Sequence, residues 1–302
     1  MKKVLFVLAF AAVPLFFASC DKESGSGPGT GTMTLSITDS PIDSGNVTGV
    51  FITISDIQVN TSDSGWLTIK DFKGPETYNL MDLTRGETDL LGSITLDGGQ
   101  YNQIRFMLDA PEKGTDKPVN PGCYIQFADG NTEPLFVPSG SQSGFKGIGS
   151  FTVPVNGTVD VTADFDVRKS ITKTGSPSPR YILRPTIRLV VNNQAGQIRG
   201  NVTNIPADTA IVVYSYADGT YTNDESNDPS VTGSTRFPNA ISSDIVDSLG
   251  IYHIAFLAAG KYDLVVTSLV NGSFGEVLGK IEDVTVESGR TTKQDIDIST
   301  FK

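Results

Sequence analysis

The chain has 302 residues, room for about two domains of 100–200 residues each. It is 38% hydrophobic and 19% charged, with 31 Gly and 16 Pro, which excludes collagen, coiled coil and wholesale disorder. A balance of 23 basic to 34 acidic side chains, net −11, argues against a nucleic-acid binder that tracks phosphates. One His and two Cys are too few for a multi-ligand zinc site or a disulfide framework.

The chain opens with Met1-Lys2-Lys3, a cationic start, followed by an apolar run from Val4 to Phe17 interrupted by Pro14. That run is shorter than the roughly 18–20 residues that span a bilayer, so residues 1–19 read as a secretory leader. Its end, Phe17-Ala18-Ser19-Cys20, resembles the lipobox of bacterial lipoproteins, with Phe17 in place of the usual Leu. The resemblance implies acylation of Cys20 and a lipid anchor in the outer membrane, each buried methylene contributing about 0.8 kcal/mol. Asp21 to Thr32 carries no hydrophobic residue and reads as a flexible tether, which with Cys20 makes residues 20–32 a linker. Asp21 and Glu23 resemble the signals that send Bacteroidetes lipoproteins to the cell surface, so the expected location is the cell envelope, periplasmic or surface-exposed.

From Met33 onward, apolar residues recur at every second position: Met33-Leu35-Ile37, Phe51 to Val59, Phe151-Val153-Val155, and Val159 through Val167. Turn residues punctuate them, among them Asp97-Gly98-Gly99, Asn156-Gly157 and Asp218-Gly219. This predicts an all-β protein of two antiparallel β-sandwich domains in tandem, with Thr84–Leu91 the one segment compatible with a short helical turn. The polar run Asn192–Gly196 marks a boundary between a domain at 33–191 and another at 196–302. Pairing the strand from Val159 with Tyr181–Val191 predicts Asp164 opposite Arg184 and Asp160 opposite Arg188, cross-strand ion pairs rather than a metal site. Both halves carry Leu-x-x-Gly-x-Tyr, at Leu96–Tyr101 and Leu257–Tyr262, where Gly allows a tight entry turn. The buried Tyr can there return its hydroxyl to nearby backbone.

Several segments between Met33 and Val191 occur in the order of a known family. They include Thr34-Leu35-Ser36-Ile37-Thr38-Asp39-Ser40-Pro41, Gly65-Trp66, Tyr78-Asn79-Leu80-Met81-Asp82-Leu83, Gly99-Gln100-Tyr101 and Tyr181-Ile182-Leu183-Arg184-Pro185. They resemble the bacterial and archaeal lipoprotein modules known as domain of unknown function 4382, which implies a β-domain without assigned activity. Gly250-Ile251-Tyr252-His253-Ile254, Leu257 to Val266 and Val284 to Gly289 make Gly196–Ile298 similar to transthyretin-like, carboxypeptidase regulatory-like domains. That resemblance implies a spacer or interaction module, from whose compact form the polar stretch Thr220–Ser234 departs.

No nucleophile elbow, zincin motif, P-loop or dinucleotide fingerprint is present, so no catalytic residue, cofactor or metal site is assigned. His253, the lone histidine, reads as a strand surface residue, and Cys123 as a buried inert thiol. Asn223–Asp228 offers oxygen ligands suited to calcium without a calcium-loop order, and reads as a solvated loop. Trp66 reads as a packed residue closing the sandwich, with a glycan-stacking platform as the alternative. Asp208-Thr209-Ala210 and Asp247-Ser248-Leu249 resemble a short Bacteroidetes O-glycosylation sequon. The expectation is a membrane-anchored, non-enzymatic lipoprotein with a binding or assembly role. Its partners would be membrane lipid through Cys20 and a glycan or protein. The alternatives are a glycan-active accessory enzyme or a fimbria-like subunit.

Overall fold

A computed structural model describes residues 29–40, 45–61, 65–110, 122–138, 143–174, 180–229 and 235–301. Cys20 and the tether up to residue 28 lie outside the described residues.

The alternating apolar runs become strands whose inward residues vanish from solvent: Met33, Leu35 and Ile37 are fully buried, as are Ile52, Ile54, Ile57 and Val59. Thirteen strands form the first sheet. They begin with β1 (Thr30–Ser40), β2 (Val47–Thr61), β3 (Gly65–Thr68), β4 (Glu76–Asn79), β5 (Asp89–Asp97), β6 (Gly99–Leu108) and β7 (Tyr124–Phe127). They continue with β8 (Thr132–Phe136), β9 (Phe145–Val153), β10 (Thr158–Asp166), β11 (Ile171–Thr174), β12 (Arg180–Leu183) and β13 (Ile187–Val191). The main path runs β11-β12-β8-β7-β2-β6-β9-β13-β10-β1-β5, with β3 and β4 beside β2. It closes over one core in which Phe106 of β6 meets Phe165 of β10 edge-on, 5.4 Å between ring centres.

The second unit holds β14 (Ala195–Thr203), β15 (Thr209–Ala217), β16 (Ser242–Ile245), β17 (Ile251–Ala258), β18 (Gly260–Val270), β19 (Ser273–Val286), β20 (Thr291–Lys293) and β21 (Ile296–Asp297). Two four-stranded sheets result, β17-β14-β20 with β21, and β16-β15-β18-β19. The second sheet is apolar on both faces. Ile211 and Val213 of β15 point into the core between the sheets, while Val212, Tyr214 and Tyr216 face a second core with Phe237 and Ala240. The chain after the polar stretch 220–234 therefore returns to cover a face that a compact sandwich would leave wet.

The all-β expectation holds, and most pairings are antiparallel. Five are parallel among the described residues, notably β1 with β10 along its length. Period-two alternation fixes which face is buried and is silent about strand direction.

Two details differ from the sequence reading. Short helical turns occur at five places among the described residues. The one nearest Thr84–Leu91 is a 3-10 turn at Leu80–Leu83, which Asn79 caps by accepting from the Met81 amide at 3.3 Å, while it also accepts from the Val50 amide at 3.1 Å. Asp164 lies opposite Arg188, with which it forms an ion pair, not opposite Arg184; Asp160 instead faces Thr34 of β1. The offset arises because Tyr181–Leu183 leaves as the separate strand β12, and Arg184-Pro185-Thr186 interrupts the ladder before β13. Both Leu-x-x-Gly-x-Tyr corners close as the sequence reading expects. Tyr101 donates to Asp97 O at 2.9 Å and Tyr262 to Ala258 O at 2.8 Å.

Candidate functional site

Two places gather chemistry-bearing side chains: the junction between the two units and the outer face of the first sheet.

At the junction, the single turn Val167–Ser170 follows β10, its amides capped by Asp166. It carries Arg168 into the second unit, 3% exposed. There its guanidinium donates to the carbonyls of Arg236 (3.0 Å), Phe237 (2.7 Å) and Ala240 (3.4 Å), lies 5.5 Å from the centre of the Tyr214 ring, and keeps Asp166 at 3.5 Å. A buried cation survives only with such a ring of acceptors. On the other side of the junction Arg85, in a left-handed turn (φ 62°) before β5, donates to Asp244 (3.1 Å), Asp247 (2.8 Å) and Ile251 O (2.6 Å). Between these clamps the hydroxyls of Ser40 and Ser242 lie 3.0 Å apart, and the Gly45 amide donates to Gly272 O at 3.3 Å.

His253 sits at this junction rather than on an open surface. Its Nε2 pairs with Gln197 Oε1 at 2.7 Å, and its backbone amide donates to Asp244 at 2.7 Å. Gly86 of the first unit passes so close that a Cβ there would come 3.1 Å from its Cε1. Burial, then the fields of Arg199 and Arg85, push its pKa down, so the ring is neutral. Burial raises the Asp244 carboxyl to about 7, against the pull of the His253 amide and Arg85. Burial opposes the charge of Arg85, yet hydrogen bonds and proximity to Asp247 and Asp244 raise its pKa overall. The charges at the junction are thus bound to one another. Asp39, buried at the end of β1, uses one oxygen to accept from the Val167 amide at 3.1 Å; its Oδ2 finds no partner among the described residues. Burial, with Asp164 and Asp166 nearby, raises its pKa well above the usual value.

The remaining sequence candidates find structural roles. Cys123 is buried, its Sγ 3.5 Å from the Thr53 amide and from Asp109 O, and burial pushes its pKa up to about 12, as expected of an inert thiol. In the loop 223–228, Glu225 turns inward to accept from Tyr216 Oη at 3.0 Å and from the Asn239 backbone and side-chain amides, each at 3.1 Å. Asp228 pairs with Arg236. Among the described residues no group of three His, Cys, Asp or Glu converges as a metal site. Asp247 caps its own turn through the Leu249 and Ile251 amides besides holding Arg85, while Ser248 and Leu249 are exposed. Thr209 opens β15 with its hydroxyl on Ala207 O at 3.2 Å.

Trp66 is a correction. It does not join the core but lies half-buried on the outer face of β3, with Arg105 of β6 stacked 4.3 Å from its ring centre and Lys146 of β9 at 5.7 Å. Nothing in local sequence signals this cluster, because it joins residues up to 80 positions apart through the register of four strands.

Residues 30–185 match the family described as Domain of unknown function (DUF4382). The chain belongs to this family. Its neighbours among solved structures are distant. A minor pilin of Streptococcus agalactiae is 14% identical, with 88% of this chain and 94% of that chain covered, at a TM-score of 0.23. The shaft pilin SpaA of Lactobacillus rhamnosus GG is 11% identical, with 89% and 96% covered, at 0.23. The Bacillus anthracis TIE protein is 12% identical at 0.21; 89% of this chain is covered, which spans only 34% of that one. No curated protein matches. Among the described residues no helix is long and apolar enough to cross a membrane.

Proposed function

We propose that this DUF4382 protein is a lipid-anchored protein of the cell envelope, held by acylated Cys20, that works without catalysis as a rigid two-domain module for binding or assembly. The observation that supports this reading best is the use made of its junction. Arg168, Arg85, Asp244 and the only histidine are engaged in bonds across or beside the domain boundary. The only described cysteine is buried with its pKa raised, which suits packing rather than nucleophilic work. A flexible tether followed by a stiff pair of β-units would hold a surface away from the membrane.

The anchor is tested by feeding expressing cells an alkyne analogue of palmitate. The wild-type chain takes up the label and Cys20→Ala does not. Label uptake that ignores Cys20, or none in the wild type, overturns the reading.

A further inference from the structure

We propose that the outer face of β3, β2, β6 and β9 is a recognition surface for a carboxylated polysaccharide, whose uronate groups are received by Arg105 and Lys146 beside Trp66. Strand register builds it. Thr68 pairs with Gln58, Gln58 with Arg105, and Arg105 with Lys146, forming one rung across four strands. Two residues along each strand lie Trp66, Asn60, Gln103 and Ile148, a second rung on the same face. Four strands at about 4.8 Å spacing make a flat strip roughly 14 Å wide.

Arg105 is fixed before any ligand arrives. Its Nε (3.1 Å) and Nη2 donate to Gln58 Oε1, and Gln58 is itself oriented by its amide on Asp56 at 2.6 Å. The guanidinium lies against Trp66, leaving the Nη1 edge without a partner among the described residues. Lys146 is exposed, and among the described residues neither cation forms an ion pair with a carboxylate. Asp56, the acid on this face, is taken by Gln58 and, at 3.4 Å, by Thr68. In a chain of net charge −11, two neighbouring cations that form no ion pair among the described residues complement a carboxylate, and a planar guanidinium edge matches its two oxygens. Asn60 and Gln103 supply the amides that sugar hydroxyls need. The sparse charge of a polyuronate suits the site better than a dense polyanion, which the chain's overall charge repels.

The inference rests on the binding-module reading and is independent of the anchor, since it is measured on purified protein. The full chain in detergent is tested by biolayer interferometry on immobilised polygalacturonate, with the methyl-esterified polymer as a neutral control and heparin as a dense polyanion. The expected result is binding at least tenfold tighter to polygalacturonate than to either of the others. Lys146→Gln, an exposed change that spares the fold, weakens it at least threefold, and Arg105→Gln weakens it further. Equal binding to the esterified polymer, tighter binding to heparin, or a Lys146→Gln affinity equal to wild type overturns the proposal, whatever the acyl-labelling result.

Discussion

The two halves of this chain use their positive charge differently. In the second unit five cations, Arg236, Lys261, Lys280, Arg290 and Lys293, each stand within 4 Å of an acid of that same unit. The first unit sends Arg85 and Arg168 across the boundary and leaves Arg105 and Lys146 beside Trp66. Exposed ion pairs contribute little to stability, so the second unit's pairs mainly neutralise its surface. Of the first unit's cations, Arg85 and Arg168 lock the domains and Arg105 and Lys146 stand beside Trp66, while Lys169 and Arg188 pair with acids of their own unit. Under the proposed binding role, the second unit is the support and the first presents the recognising face.

The largest effect expected from this contrast is at Arg168. Arg168→Ala strands the buried carbonyls of Phe237 and Ala240 and the part-buried carbonyl of Arg236, and weakens the hold on Asp166, costing about 3–5 kcal/mol. Calorimetry shows a lower transition that separates into two as the second core, with Phe237 and Ala240, loosens. A single transition at the wild-type temperature would mean that the domains do not depend on this clamp. Arg85→Ala removes three bonds at a partly exposed site and costs less, about 1–3 kcal/mol by urea titration. A change comparable to Arg168→Ala would reverse the ranking of the two clamps.

Smaller again are the paired corners. Tyr101→Phe and Tyr262→Phe each lose one hydroxyl bond to backbone, about 0.5–1.5 kcal/mol, and similar values are expected because the geometry repeats in both domains. Unequal losses would show that the shared motif does different work in each unit. The smallest effect is a slope. Asp39 has its folded pKa raised, so its neutral form suits the fold, and its contribution is full below the ordinary carboxylate pKa and lost as pH rises toward the folded value. As pH rises above the ordinary carboxylate range, the wild type therefore loses more thermal stability than Asp39→Asn, whose Oδ1 still accepts from Val167. Equal slopes would show that Asp39 carries its charge without strain.

Much of the architecture is legible in the sequence. Alternation marks the strands and their buried faces, and Leu-x-x-Gly-x-Tyr marks both corners, because these are local properties. What escapes is set by distant register. Asp164 meets Arg188 only because β12 departs to another partner, a choice fixed by Leu135 and Phe136 some 50 residues away. His253 reads as a surface residue because nothing near it announces Gly86. The unbroken apolar run of β15, Ile211 to Tyr214, is a visible sign that both faces of its sheet are covered, and the cover arrives from beyond the polar stretch. The face with Trp66 is the furthest from sequence: its cations come from β6 and β9, and only the ladder puts them over one ring.

The most direct measurement is protease shaving of intact cells, with mass spectrometry of what is released. Surface display of a rigid two-domain module held by Cys20 and its tether predicts release of one large fragment. That fragment begins within residues 20–32 and is uncut between Val191 and Ala195. Complete protection of the chain in the membrane fraction would place it inside the envelope. Cleavage at 191–195 into two separate halves would contradict the locked junction on which the account depends.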